Sequence, residues 1–294
     1  MKIASLISSL TATAVVLSSS SSVVSANPAA TLRKPSFAAP KAAAQKVLNK
    51  VEAAVPTKAV TASTKSPLRA ISKDGAVWMG ILLAAFSGFS NGAFMSGFVQ
   101  LIPKQGVAAV TGAWTNSAVG FASNNMKMFW SQTSIILSFI GGSMIYGLMN
   151  PNPELFQVNK NVISNALALV SACFMGAIWI LDHAGKNDRA AAFEACCLAA
   201  VASGIQNSLT SAHTGNLCRT THYTGISSDM GTFLGQVLRG NKANLFKLQT
   251  FVKLALSFWV GGAAGYLVCQ KYHADAILVP AVLNMILAVF TRFS

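Results

Sequence analysis

The hydrophobic part of this 294-residue chain carries the same marks twice, in the same order. Gly88-Phe89-Ser90-Asn91 returns 116 residues later as Gly204-Ile205-Gln206-Asn207. Thr111-Gly112 returns 113 residues later as Thr224-Gly225. Gly141-Gly142 with Tyr146 returns 120 residues later as Gly261-Gly262 with Tyr266. In a strongly apolar chain this pattern predicts two duplicated bundles of membrane-spanning helices, with a site where the halves meet.

Composition and charge placement favour a membrane protein. Apolar residues make up 53% of the chain and charged residues only 10%, against about 25% charged in soluble domains. The net charge of +14 is not a nucleic-acid signal, because nine of the 22 basic residues lie between Arg33 and Lys73, ahead of the apolar spans. Most of the others occupy short gaps between apolar stretches, where topology charges are found. No nucleic-acid partner is predicted.

The first 76 residues resemble targeting sequence. Residues 1–26 have one early lysine, a short apolar stretch and a serine run closing on Val24-Ser25-Ala26, which predicts a signal peptide cleaved after Ala26. Residues 27–76 are basic, poor in acids and rich in hydroxyl residues. Two interpretations stay open for this segment: a transit peptide toward a plastid membrane, or a disordered basic stalk on a membrane protein of the secretory pathway.

Hydropathy predicts an all-α, polytopic bundle with repeats at 77–182 and 190–292. Six clear apolar segments lie near 77–101, 131–149, 162–181, 191–210, 249–269 and 276–292. Two shorter segments, Thr111 to Ala122 and Tyr223 to Leu238, each contain a Thr-Gly pair at or near their start. If the short segments do not cross, there are six spans and the repeats are inverted; if they do, there are eight and the repeats are parallel. Their lengths favour six spans plus two short elements.

Polar residues inside these apolar segments are the predicted substrate path. Asn91 and Asn207 each share a helical face with serine or threonine one turn away, and Gln206 belongs to the same mark. Thr-Gly followed by polar residues predicts a half-helix start that favours an anion or a carbonyl group. This adds Thr111, Gly112, Asn116, Thr224, Gly225 and Asp229. The alternatives are helix–helix hydrogen bonds for the amides and ordinary loop caps for the Thr-Gly pairs.

Small residues mark predicted faces of close helix packing. Gly261 and Gly265 form a G-x-x-x-G pattern that Ser257 extends backwards, and Ser138, Gly141 and Gly142 form the matching face in the first half. Small residues let helix backbones approach closely within membranes. We expect these faces to join the two halves.

No metal, cofactor or catalytic site is predicted. The five cysteines (Cys173, Cys196, Cys197, Cys218 and Cys269) match no metal or redox spacing, and His213, Cys218 and His222 fit no standard zinc pattern. No nucleotide-binding or hydrolase motif occurs in the membrane portion. The sequence therefore predicts that the protein is not an enzyme.

The second copy of the marks resembles the YoaK-like family of integral membrane proteins, which has no established activity. Gly204, Gln206 and Asn207 are followed by Thr224-Gly225 and then by a helix with Gly261, Gly262 and Gly265, as in that family. The first copy departs from it, because Asn91 replaces an aspartate and Ala113 follows Thr111-Gly112. The resemblance spans about residues 80–292 and implies a polytopic fold and a transport role, without a substrate.

The leading functional hypothesis is a channel or secondary transporter for a small solute, working between the two halves near the middle of the bilayer. The alternative is a non-transporting membrane scaffold or assembly factor. The predicted partners are the lipid bilayer and an unidentified small solute, and a homo-oligomer is compatible with the sequence. The predicted location is a membrane reached through the secretory pathway, with a plastid membrane as the further destination under the transit-peptide interpretation.

Overall fold

The computed structural model describes residues 68–97, 106–183 and 188–294. The chain divides into two units, Met1–Ser63 and Thr64–Ser294, and every described residue belongs to the second. The predicted signal peptide and nearly all of the predicted 27–76 segment lie outside the described residues. Helix α1 begins at Lys73, before the predicted boundary at residue 77. The reason is local, because the Ser72 hydroxyl accepts a hydrogen bond from the Gly75 amide (3.0 Å) and caps the helix.

The described residues are almost entirely helical, which confirms the predicted all-α class. The helices are α1 Lys73–Met95, α2 Thr111–Ala122, α3 Met126–Met149, α4 Lys160–His183, α5 Arg189–Thr214, α6 Tyr223–Leu238, α7 Leu245–Tyr272 and α8 Leu278–Phe293, with a 3-10 helix at His273–Ile277. Two short strands, β1 (Arg69–Ala70) and β2 (Gln157–Val158), pair antiparallel. All six long helices (α1, α3, α4, α5, α7 and α8) overlap the six apolar segments that hydropathy predicts, and α2 and α6 have the bounds predicted for the two short segments.

Two helix pairs in the bundle are tightly packed, and the helices of each pair run parallel to each other. Helix α1 packs along α7, and α3 packs along α5. Along α1 and α7 the contacts advance together, from Ser257 Oγ donating to the Ile81 carbonyl (2.6 Å) to Gln270 Nε2 donating to the Ser96 carbonyl (3.5 Å). Each pair therefore joins the first long helix of one half to the third element of the other.

Glycines make both pairs possible. A Cβ on Gly142 of α3 would overlap the backbone carbonyl of Val201 in α5, and a Cβ on Gly261 of α7 would overlap that of Ala85 in α1. A Cβ on Gly88 would likewise overlap the backbone carbonyl of Phe258, and a Cβ on Gly204 would overlap that of Phe139. Helix backbones in contact at these points leave no space for a side chain.

One predicted packing residue lies away from this contact. Gly141 has open space where a Cβ would be, whereas its neighbour Gly142 lies at the interface. In the helix contacts the counterpart of Gly261 is therefore Gly142 and not Gly141. Tyr146 and Tyr266, which the sequence aligns, differ accordingly: Tyr146 is buried and Tyr266 is exposed.

Helices α1 and α5 run in opposite directions. The beginning of α1 (Ala76, Met79) meets the end of α5 (Leu209, His213), and further along α1 Gln206 Nε2 of α5 donates to the Leu83 carbonyl and to Ser87 Oγ (3.0 Å). We call the end of the bundle where α1 begins the near end, and the end where it finishes the far end.

The chain turns between α7 and α8 at the far end, and α8 returns packed along α4. The stretch Leu245–Phe293 is helical over 49 residues, about 70 Å at 1.5 Å per residue and too long for one crossing of a hydrocarbon layer of about 30 Å. The stretch is broken at His273, whose backbone has φ 50°. The last residues return to the near end, where Arg292 Nη1 donates to Asn161 Oδ1 (2.6 Å) and Arg69 Nη1 to the Ser294 carbonyl (3.3 Å).

The surface is apolar, as in an integral membrane protein. Four helical stretches in the described part of the chain are long and apolar enough to cross a membrane: Lys73–Met95, Met126–Met149, Lys160–His183 and Leu245–Phe293. Large apolar side chains point outwards, including Trp78, Trp179 and Trp259, which are 65%, 62% and 70% exposed. Helix α5 falls outside those four, because its many alanines and its polar residues lower its hydropathy. Burial of such a helix among its neighbours explains how a less apolar segment is accommodated.

Candidate functional site

A cavity of about 940 Å³ lies at the far end of the bundle. It is bounded by the end of α1, by α2 and the chain that precedes it, and by the beginnings of α3 and α5. Its lining combines amides and hydroxyls, apolar side chains and two cations (Asn91, Met95, Gly106, Ala109, Gly112, Ala113, Asn116, Asn125, Lys127, Met128, Trp130, Ser131, Gln132, Ser134, Arg189, Ala190 and Phe193). This volume is in the range that encloses small-molecule ligands.

Asn91 fixes the inner wall of the cavity. Its side chain is only 9% exposed, and its Oδ1 accepts a hydrogen bond from the backbone amide of Ala108 (3.1 Å). Its Nδ2 donates to the Met95 sulfur at 3.6 Å, a weak acceptor. Residues 106–110, directly before α2, therefore contact the body of α1 one turn inside the end of that helix.

Helix α2 runs outwards from this level. Along α3 its contacts proceed from Ser117, which hydrogen bonds to Thr133 (2.8 Å), to Phe121, whose ring lies 5.6 Å from that of Phe129. Its 12 residues span only about 18 Å. No side chain of a described residue caps its first turn, and Gly112 has open space beside its backbone. The helix start therefore presents free backbone amides beside the cavity.

The second half makes the same arrangement at the near end. Asn207 Oδ1 accepts from the backbone amide of Thr221 (3.3 Å), as Asn91 accepts from Ala108. Helix α6 then runs outwards along α7, from Tyr223, whose hydroxyl donates to the Leu254 carbonyl (3.3 Å), to Phe233, whose ring stacks 6.0 Å from that of Phe251. Its 16 residues span about 24 Å, so it too is shorter than a bilayer.

The two short helices differ in what lies beside their first turn. A Cβ on Gly225 would meet the ring of His222, whereas Gly112 is open. Thr224 and Asp229 are exposed and Gly225 is half-buried. In the second half an imidazole therefore occupies space that is open in the first.

The predicted path residues consequently fall into separate groups. Asn91, Gly112 and Asn116 come together at the cavity, and Thr111 precedes them at the exposed start of α2. Gln206 is buried in the contact between α1 and α5. This residue therefore makes the helix–helix hydrogen bonds that are the alternative to a substrate path. Asn207, Thr224, Gly225 and Asp229 lie around the near-end arrangement and are not part of this cavity.

Sequence reasoning missed the cations and aromatic residues of the cavity. Lys127 and Arg189 lie in the first turns of α3 and α5, and Trp130 and Phe193 follow on the same helices. The sequence does contain a signal for the two cations, because each one follows a residue that caps the start of its helix. Asn125 Oδ1 accepts from the Met128 amide, and Asp188 Oδ1 from the amides of Ala190 and Ala191. Two capped helix starts at one end of a bundle place their first-turn side chains near each other.

A second buried polar cluster links α3 to α5 at the near end. The Tyr146 hydroxyl lies 2.8 Å from His213 Nε2, and Asn150 Nδ2 lies within 3.3 Å of both. The His213 carbonyl accepts from the Phe156 amide (2.9 Å), so the cluster also anchors the chain before β2. Within the described ranges, no group of three or more histidines, cysteines and acids could hold a metal ion.

Comparison with known families places the chain. Residues 79–290 match the family model described as "Protein of unknown function (DUF1275)". The chain belongs to this family. The matched range includes most of α1, all of α3, α5 and α7, and both short helices. No curated protein and no solved structure matches the chain.

Proposed function

We propose that this member of the DUF1275 family is a channel or secondary transporter that takes up a small solute through the far-end cavity. The observation that carries the proposal is the cavity itself, about 940 Å³ in volume and lined by amides and hydroxyls within an otherwise apolar bundle. Polar side chains buried in a membrane protein usually face a partner or a solute path. Asn91 gives the cavity a polar floor one turn inside the end of α1.

The proposed architecture is two inverted halves with six crossings, α1, α3 and α4 in one and α5, α7 and α8 in the other. Three observations support it. Helices α1 and α5 run in opposite directions, Asn91 and Asn207 make the same contact at opposite ends, and both short helices start beside those contacts. A parallel repeat would require α1 and α5 to run the same way. The alternative with eight crossings would require α2 and α6 to cross with 12 and 16 residues.

In this proposal one half moves against the other, and the two re-entrant segments act as gates. The far-end gate is the segment of residues 106–110 directly before α2, which Asn91 holds through the Ala108 amide. The near-end gate is the chain before α6, which Asn207 holds through the Thr221 amide. The open first turn of α2 and the closed first turn of α6 correspond to a conformation open at the far end and closed at the near end.

We also propose that the chain is one of the YoaK-like members of the family and that it is integral to a membrane. The second-copy residues support placing the chain among the YoaK-like members, and the apolar surface supports an integral membrane location with lipid as its surroundings. Entry by a signal peptide and onward targeting to a plastid depend on residues 1–67, outside the described part. We propose no catalytic role and no cofactor.

Uptake into proteoliposomes tests the transport role. Purified full-length protein reconstituted in phosphatidylcholine vesicles should accumulate at least one radiolabelled solute from a panel of amino acids, organic acids, sugars and cations, with and without a pH gradient. Gly112→Leu, which fills the open side of the α2 start, should reduce that uptake about tenfold or more, while Gly147→Leu, at another open position, should leave it unchanged. Absence of uptake across the panel would contradict the transport role.

A further inference from the structure

We infer that the far-end cavity binds an organic anion, a carboxylate with an apolar body, and this inference rests on the proposed function. The first observation is charge. Lys127 and Arg189 both line the cavity, and no aspartate or glutamate is among its described lining residues. Neither cation forms an ion pair with another described residue. The cavity therefore carries two positive charges that the described protein does not neutralise.

The nearest acids do not alter this balance. Asp188 precedes Arg189, but its carboxylate accepts from the Ala190 and Ala191 amides and caps α5 (3.0 Å each). Glu194 follows Phe193 and is exposed outside the cavity lining. Two cations at the rim of a low-dielectric cavity attract an anion more strongly than the same cations on an open surface.

The second observation is the donor set inside the rim. Asn116 and Asn125 line the cavity beside the two cations, and among the described residues Asn91 Nδ2 donates to the Met95 sulfur, a weak acceptor. The uncapped start of α2 adds backbone amides and the positive end of its dipole. An anion accepts hydrogen bonds from all of these groups, whereas a cation would face two like charges and a helix N-terminus.

The third observation is the difference between the halves. Asn116 in α2 corresponds to Asp229 in α6 at the offset of 113 residues. The first half thus has a neutral amide where the second half has a carboxylate. The neutral residue belongs to the half with the open cavity, and an acid at position 116 would lower the positive charge that the cavity presents.

The apolar part of the lining indicates that the uncharged part of the ligand is apolar too. Met95, Met128, Trp130 and Phe193 contribute sulfur and aromatic surface between the polar groups. A fully hydrated inorganic ion would leave this surface uncovered, whereas an aromatic or aliphatic carboxylate would bury it. The class is therefore an organic carboxylate in preference to an inorganic anion.

Binding of benzoate and of its neutral isostere benzamide tests the inference. Full-length protein in phosphatidylcholine nanodiscs should bind radiolabelled benzoate at least about tenfold more tightly than benzamide, a difference of about 1.4 kcal/mol. The double variant Lys127→Glu with Arg189→Glu should remove this preference. The double variant Lys242→Glu with Lys247→Glu, an equal charge change at two exposed residues outside the cavity, should preserve it. Equal binding of the two probes, or a preference that survives the double reversal, would overturn the inference.

Two further arms separate the outcomes. Displacement of benzoate by added phosphatidylglycerol would overturn the carboxylate assignment in favour of a lipid phosphate, and unchanged benzoate binding would support a soluble carboxylate. Uptake of a neutral or cationic solute that Gly112→Leu blocks, without benzoate preference, would overturn the anion inference and leave the transport role standing. Benzoate preference without any solute uptake would keep the anion site and contradict transport.

Discussion

Gly142→Ala is expected to lower the free energy of unfolding by about 1–3 kcal/mol, in spite of the better helix propensity of alanine. The new Cβ would overlap the backbone carbonyl of Val201. A backbone carbonyl inside a helix cannot rotate away, so α3 and α5 must separate and lose close contact along their length. Unfolding in mixed detergent micelles, followed by circular dichroism, measures the change.

The adjacent glycine supplies the control. Gly141→Ala places the same methyl group one residue earlier, in open space, and should leave the stability unchanged or raise it slightly. In α7 the order is reversed: Gly261 is against the Ala85 carbonyl, and the nearest atom to a Cβ on Gly262 is 3.6 Å away. Gly261→Ala should therefore destabilise more than Gly262→Ala. Equal stability within both pairs would contradict the parallel helix pairs.

Asn91→Leu is expected to release the chain before α2 and to reduce uptake about tenfold or more. The substitution removes the acceptor of the buried Ala108 amide, and a buried amide without a partner costs about 1–3 kcal/mol. When the free energy of local opening falls by that amount, the exchange rate of the local amides rises by about tenfold or more. Hydrogen–deuterium exchange of peptides covering residues 106–110 measures it.

Two variants make this result specific. Asn91→Asp keeps an oxygen acceptor for Ala108, so exchange at 106–110 should stay close to that of the unmodified protein. Asn207→Leu removes the acceptor of the Thr221 amide and should raise exchange near residue 221 while leaving 106–110 protected. Faster exchange at both places in either variant would indicate general unfolding in place of a released segment.

The sequence marks predict the helices well because each mark has a local physical cause. The apolar stretches coincide with the long helices, and Asn91 and Asn207 were identified because a lone amide stands out in an apolar segment. Thr111 begins α2 and Thr224 is the second residue of α6, in agreement with the predicted bounds of the two short segments. The offset of 120 for the Gly-Gly pairs misaligned Gly141 with Gly261, because adjacent glycines look alike in sequence and only their neighbours across the helix pair distinguish them.

The cavity could be predicted only in part. Asn91, Gly112 and Asn116 are local to the first half, so one half of the sequence suffices to group them. Arg189 and Phe193 reach the cavity because α5 packs beside α3, a contact between halves that no local pattern specifies. Gln206 lies outside the cavity because it forms a hydrogen bond to α1. This too is a contact between halves that no local pattern specifies. The sequence marks a polar residue, and the helix it faces decides its role.

Membrane topology is the most direct test of the proposed inverted halves. On a background with all five cysteines replaced, single cysteines are introduced by Lys127→Cys, Asn216→Cys and, as the reference, Arg292→Cys, and sealed vesicles are labelled with an impermeant maleimide. All three positions are exposed. We expect Asn216→Cys to be labelled from the same side as Arg292→Cys, and Lys127→Cys only from the opposite side. The reverse assignment of both would mean eight crossings and parallel repeats, and would contradict the account.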